Sequence, residues 1–390
     1  MMRKLFSLLA IAIVLCAFVG CSGKADQAKA GDVEESKADT IYFLTPTATH
    51  GWMGQCGAYA ARLVKEINAE GKYKAYHYTA AAGTSTNDQV DEILANGDAL
   101  ASIVCAFDDD AASGEMKLTD AGIPWISFAR IIDSTVPYAL VNISGDNKAT
   151  GAMCAAWLVE RGFAPGDTLV QFTGSTSTDA TWRSDAFIDF LTGNYEFKDA
   201  ATDKTYKITD VYDRAWTEEE AKALKTGNSF FNYVCNWSND IAKGFIESDM
   251  QTWLASAEST GGAIYVNSQD DEMTMALLES LDSNVFNEDV KKRIEAIDLY
   301  ATAVGGMEEL YAVMRGEDQS LTPIMETYFE DIMSVYMSPG MMLDAGKFIL
   351  EYLDDPENFR FTTGDTYYPD PWYVDRTNAK DHKGFDGRGN

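Results

Sequence analysis

The chain has 390 residues, 61 acidic against 31 basic side chains for a net charge of −30, and a hydrophobic fraction of 46% with 12% aromatic. So acidic a surface repels phosphate backbones and anionic headgroups, which argues against polynucleotide binding. With only His50, His77 and His382 in the chain, it also argues against a histidine-rich metal site. The length is more than one core usually fills and points to two lobes.

In chain order the first feature is Arg3 and Lys4 followed by an uncharged, mostly apolar span to Gly20. This is the pattern of an export signal over residues 1–20, too short and too near the terminus to read as a spanning helix. Phe18-Val19-Gly20-Cys21 resembles the bacterial lipobox. That resemblance implies an acylated Cys21 thiol as the mature first residue, and an ordinary cleaved signal is the alternative. Residues 21–39 are rich in Ser, Ala, Gly, Lys and acids and read as a flexible tether. The chain is therefore expected outside the cytoplasm, anchored by lipid to a membrane. Loss of Arg3 and Lys4 leaves 29 basic against 61 acidic residues, a net charge of −32. The widely spaced Cys56, Cys105, Cys154 and Cys235 sit among apolar residues and read as free, buried thiols, with one or two bridges as the alternative.

From residue 40 short β-type runs alternate with helical patterns. "TIYFLTP" reads as a strand, and the helix after it places Tyr59, Leu63 and Ile67 on one stripe. "KAYHYTAA", "ASIVCAF", "IPWISFAR" and "YALVNIS" follow as strands, some apolar throughout, as in a parallel sheet covered on both faces. "GDNKATGAMCAAWLVERG" opens a second cycle with strands at "DTLVQFTG", "YKITDVYDR", "FFNYVCN", "GAIYVNS" and "IEAIDLY". Residues 194–234 exceed a simple β-α connection and are expected to carry an extra hairpin. A helix "MMLDAGKFILEYLDD" precedes a tail dense in Gly, Asp, Pro and aromatics.

In open α/β sheets ligands sit beyond the carboxyl ends of the strands. Collected there are His50 and Trp52 after the first strand, Arg130 after "IPWISFA", and Trp182 and Arg183 after "DTLVQFTG". Trp237 follows "FFNYVCN", Asp270 follows "GAIYVNS", and Asp298 closes "IEAID". Aromatic faces cover C–H patches, while Arg and Asp make charge-assisted hydrogen bonds to hydroxyls, so the set suits a polyhydroxylated ligand. Nothing resembles GxSxG, HExxH or a P-loop.

"THGWM", "AGIPWISFAR", "GDNKATGAMCAAWLVERG", "TWRSDAF" and "NSQDDEMTMALLESL" occur in an order that resembles the type I periplasmic solute-binding proteins of ABC transporters, in their ribose and galactose branch. The resemblance implies an α/β fold of two Rossmann-like lobes, with parallel sheets flanked by helices, joined by a three-segment hinge. The lobes are expected at 40–145 with 338–365 and at 146–337 with 366–390. It implies no catalysis and no cofactor. Its expected partners are a small-molecule ligand, an ABC transporter permease and, through the N-terminal lipid, a membrane, with the chain a monomer. His50, Trp52, Arg130, Trp182 or Arg183, Trp237, Asp270, Asp298 and Met337 are expected to line the cleft. Ala129 stands where such proteins carry an aspartate, Asp270 for an asparagine and Met337 for a glutamine, which argues against ribose or galactose themselves. An unusual sugar, a deoxy or amino sugar, or a nucleoside fits as well, and a sensor or a secreted glycosidase using paired acids stands as the alternative.

Overall fold

The computed structural model describes residues 39–385. The signal, the tether and Cys21, apart from Asp39, lie outside the described residues.

The first half of the chain alternates regularly: β1 (Thr40–Thr45), α1 (Gly51–Glu70), β2 (Lys74–Thr79), α2 (Thr86–Asn96), β3 (Ala99–Cys105), α3 (Ala112–Asp120), β4 (Trp125–Phe128) and β5 (Val141–Ile143). Local chemistry sets the boundaries. Ser85 and Asp88 form a reciprocal capping box on α2, and Gly97, in the left-handed region, closes it. β1 is buried along its whole length and β3 at all but one position, because helices cover both faces of this parallel sheet. The strand order is β13-β5-β4-β3-β1-β2, where β13 (Thr366–Tyr367) returns from the end of the chain and pairs in parallel with β5.

A second alternation follows: α4 (Asn147–Glu160), β6 (Thr168–Thr173), α5 (Thr178–Leu191), β7 (Phe197–Asp199), β8 (Lys204–Tyr206), α6 (Ile208–Val211), α7 (Glu218–Thr226), β9 (Phe230–Val234), α8 (Asn239–Thr260), β10 (Ala263–Ser268), α9 (Asp271–Asp282), α10 (Glu288–Glu295), β11 (Asp298–Gly305), α11 (Glu308–Arg315), α12 (Leu321–Tyr328) and β12 (Asp331–Tyr336). Then α13 (Met341–Asp354) packs on α1, and β14 (Tyr373–Asp375) joins the second sheet. That sheet has the order β14-β12-β11-β10-β6-β9, parallel except for β14. Arg161 ties the final strand down, reaching Asp331 at 2.7 Å and Asp375 at 3.4 Å.

The two parallel sheets flanked by helices are the fold class expected from the sequence, and β7 and β8 form the expected hairpin. Cys56, Cys105, Cys154 and Cys235 are free and buried. Three details differ from the sequence reading. Residues 208–211 of "YKITDVYDR" are a helical turn, because Asp210 caps the N–H of Lys207 at 2.9 Å. "IEAIDLY" is split, with Glu295 ending α10 and the apolar run from Leu299 to Val304 forming β11. The chain also stays with the first sheet through Tyr367, two residues past the boundary drawn at 365, since β13 finds its partner in β5. It passes between the sheets after Ile143, after Tyr336 and between Tyr367 and Tyr373.

Candidate ligand-binding cleft

A cavity of about 570 Å³ lies where the carboxyl ends of the two sheets meet, within the range usual for small-molecule sites. The loops after β1, β3 and β4 line it on one side, and those after β6, β9 and β10 with the last residues of β11 on the other. Gly145 and Met337, on two of the passages between sheets, also line it. His50 precedes α1 and Asp270 caps α9, so the amino ends of both helices border this space.

The second sheet supplies Arg183, Asp270 and Trp237. Gly151 on α4 lets α5 approach closely, since a Cβ there would lie 2.1 Å from the Arg183 carbonyl oxygen. Arg183 is buried, with Nε donating to Asn147 Oδ1 at 2.8 Å, Nη1 to the Gln269 carbonyl, and Nη2 to Met337 Sδ at 3.4 Å. Burial pushes its pKa down, and the nearby carboxylates of Asp179 and Asp270 pull it back. Asp270 accepts from the Glu272 N–H at 2.9 Å. Burial holds the Asp270 carboxyl well above the usual range, and the adjacent Asp271 pushes it the same way. Trp237 adopts the left-handed region at φ 59° and lies against Gly174, where a Cβ would come 2.2 Å from the indole. Its ring sits 5.3 Å from the Arg183 guanidinium, in cation–π contact.

The first sheet supplies Trp52, His50 and Arg130. The Trp52 indole donates to the Met337 carbonyl at 2.7 Å and stacks on Phe128. The His50 ring lies 6.2 Å from that of Trp237, and its pKa is pushed down to about 4, first by burial and then by the Arg183 charge. Arg130 follows Ala129, itself left-handed at φ 67°, and its Nη1 meets Asp109 at 3.6 Å while its buried Nε has no partner. Asp109 in turn accepts from Thr178 Oγ1 across the cleft at 2.9 Å.

Six of the eight sequence-derived positions thus meet in one hollow: His50, Trp52, Arg130, Arg183, Trp237 and Asp270, joined by Met337. Trp182 does not line it. Neighbours on a helix are about 100° apart, so with Arg183 facing inward Trp182 turns aside, half-buried beneath Lys148 at 5.3 Å. Asp298 is exposed at the amino end of β11, while Val304 and Gly305 at its other end line the cavity, about 23 Å away at the strand rise of 3.3 Å per residue. Asn147, Met53 and Met341 are lining residues the sequence reading missed. Asp146 caps α4 and Asn147 is its first residue; the two methionines carry no signal that distinguishes a cleft from a core.

No curated protein matches the chain. Among solved structures, a galactofuranose-binding protein superposes with a TM-score of 0.60 at 16% identity, covering 88% of this chain and 96% of that one. A solute-binding protein of an ABC transporter from Actinobacillus succinogenes with bound D-allose gives 0.59 at 14% identity over 88% and 100%. One from Bacillus halodurans with bound myo-inositol gives 0.59 at 13% over 89% and 98%. At these identities the likeness establishes the type I fold. The family model of the periplasmic binding protein domain matches residues 41–315, and the chain belongs to that family.

Proposed function

We propose that this protein captures a small polar ligand, a sugar or related polyol, in the cleft between its sheets and presents the closed form to an ABC transporter permease. The observation that carries the reading is the convergence of Trp52 and Trp237 with Arg130, Arg183, His50 and Asp270 on one cavity of sugar-holding size. The indoles offer flat apolar faces for C–H patches, and the charged groups offer directional hydrogen bonds. The sugars and polyol bound by the structural neighbours support the same ligand class. Family membership speaks for binding and against catalysis.

In this reading the three passages between the sheets are the hinge, and Thr178 with Asp109 closes the rim. Ligand contacts made only in the closed form drive the closure. Calorimetry of the full chain against D-allose, D-glucose, L-arabinose, myo-inositol and a set of nucleosides tests this. Saturable binding of a sugar or polyol at one site per chain is expected, and silence from every sugar and polyol overturns the reading.

The anchoring half of the proposal rests on the sequence of residues 1–21. Mass spectrometry of the amino-terminal peptide should find a diacylglyceryl group on Cys21, and Cys21→Ser should release the protein from membranes. An unmodified Cys21 in membrane-associated protein would remove this half and leave the binding half standing.

A further inference from the structure

The part of the cavity wall formed by the end of β11 is held from behind. Val304 and Gly305 line the cavity, and the chain then turns through two consecutive glycines at positive φ, 144° at Gly305 and 89° at Gly306. Such a pair has wide conformational freedom of its own, so the turn keeps one shape only where its neighbours impose it. Asp271, next to the lining Asp270, grips one side. Its Oδ2 accepts from the N–H groups of Gly306 at 2.7 Å and Met307 at 2.6 Å, and its Oδ1 accepts from Ser334 Oγ at 2.6 Å. The tail of the chain grips the other. Phe385 donates its N–H to the Gly306 carbonyl at 2.9 Å and accepts from the Glu308 N–H at 2.7 Å, while the Gly384 N–H donates to the Glu308 carboxylate at 2.7 Å. A Cβ on Gly384 would come 2.5 Å from both the Glu308 nitrogen and the Gly306 carbonyl oxygen, so the approach needs a glycine. One on Gly305 would lie 3.0 Å from Asp271 Oδ2 and 3.7 Å from the Phe385 ring, and Phe385 is only 8% exposed.

We propose that Gly384 and Phe385 are positioning residues of the ligand cavity: the tail braces the Gly305–Gly306 turn from outside, and the turn passes that constraint to groups that meet the ligand. This rests on the sugar or polyol reading above. The route is short. The Gly305 carbonyl accepts from the Met337 N–H at 3.0 Å, the Met337 carbonyl accepts from the Trp52 indole at 2.7 Å, and Met337 Sδ accepts from Arg183 Nη2 at 3.4 Å. A displaced turn therefore shifts Met337, and with it an indole and a guanidinium that line the cavity. The tail is itself fastened a second time, where Arg315 donates to the His382 carbonyl at 3.2 Å and the His382 ring packs on Trp372 with centroids 4.4 Å apart. Neither Gly384 nor Phe385 lines the cavity, so their effect on binding runs through the turn. A wall fixed beforehand loses less freedom when ligand arrives, and that is the affinity the brace contributes.

The test compares the full chain with Phe385→Ala, the conservative Phe385→Leu, and Ile349→Ala, a cavity-forming change in the buried face of α13 that controls for general loosening. Hydrogen exchange without ligand comes first: the amides of Gly306, Met307 and Glu308 should exchange ~10-fold faster or more in Phe385→Ala and keep their protection in Ile349→Ala. Calorimetry against D-allose, D-glucose, L-arabinose and myo-inositol follows. For whichever of them binds, Phe385→Ala should lose ~10-fold in affinity, with Phe385→Leu and Ile349→Ala staying within about twofold of the unaltered chain. Gly384→Ala keeps the ring, forces the tail backbone away from Glu308, and gives the same two readings should Phe385→Ala fail to fold. Unchanged exchange at 306–308, faster exchange with unchanged affinity, or an equal loss in Ile349→Ala overturns the brace and leaves the sugar reading intact. Silence of the unaltered chain toward all four ligands overturns the sugar reading instead, and the exchange result, which needs no ligand, then decides whether the tail holds the turn.

Discussion

The two sides of the cleft hold their polar groups differently. On the second sheet's side Arg183 is fixed by three donor bonds, Asp270 by the α9 amino terminus, and Trp237 by its seat on Gly174. On the first sheet's side His50 Nδ1 and Arg130 Nε are buried without partners, and Arg130 meets Asp109 only at 3.6 Å. A group already held in place loses little freedom when ligand arrives, whereas an unpartnered buried donor gains what it lacks. The contrast teaches that the second side is a preformed seat, and that the first closes onto whatever occupies it.

The largest effect expected from this contrast is at Arg183. Arg183→Met should lower affinity for the tightest panel ligand by ~100-fold, about 2.7 kcal/mol, while Arg130→Met costs nearer tenfold. Calorimetry on both decides, and a larger loss at Arg130 would reverse the assignment of seat and lid.

Next comes pH. His50 titrates at about 4 in the folded chain against 6.5 when exposed. Between those values the unfolded chain therefore binds the extra proton, and stability falls as pH drops through this window and is fully present above it. The contribution is about 2–3 kcal/mol. Asp270, shifted upward, works in the opposite sense. His50→Ala should thus flatten the acid limb of the melting temperature between pH 6.5 and 4, as differential scanning calorimetry would show; an unchanged limb means that the imidazole is not buried neutral.

Gly174→Ala should come third. The new Cβ cannot share space with the Trp237 ring, so the indole must move, at ~10-fold in affinity and with a changed tryptophan emission. Unaltered emission and affinity would show that Trp237 is not seated as described. The smallest effect belongs to the rim. Thr178→Val keeps the shape and removes the donor to Asp109, a half-exposed bond worth about 0.5–1 kcal/mol. Stopped-flow release of ligand should quicken a few-fold with little change in the melting temperature, and no change in release would remove this bond from the closed state.

Much of the molecule could be read before folding. Alternation of apolar strands with striped helices carries the α/β class, since each signal is local: a capping box at Ser85, a left-handed glycine at 97, an apolar run through β3. The candidate site was partly legible for a related reason. Parallel strands place their following loops at one end of a sheet, so His50, Arg130, Arg183, Trp237 and Asp270 could be gathered by position alone. Asp298 failed because one misplaced strand start carried its residue to the opposite end of the sheet. Trp182 failed because adjacent helical positions compete for one direction, and only packing against α4 says which of them wins.

The sequence by itself determined the alternation, the acidic surface and the chemical types at the loop ends, all consequences of backbone periodicity and side-chain chemistry within a few residues. Only the tertiary structure decided that Asp270 and His50 stand 3.9 Å apart, that Met337 rather than a carboxylate meets Arg183, and that β13 and β14 divide the tail between two sheets. Those outcomes depend on contacts between segments up to more than two hundred residues apart, and no local propensity records how such segments close on one another.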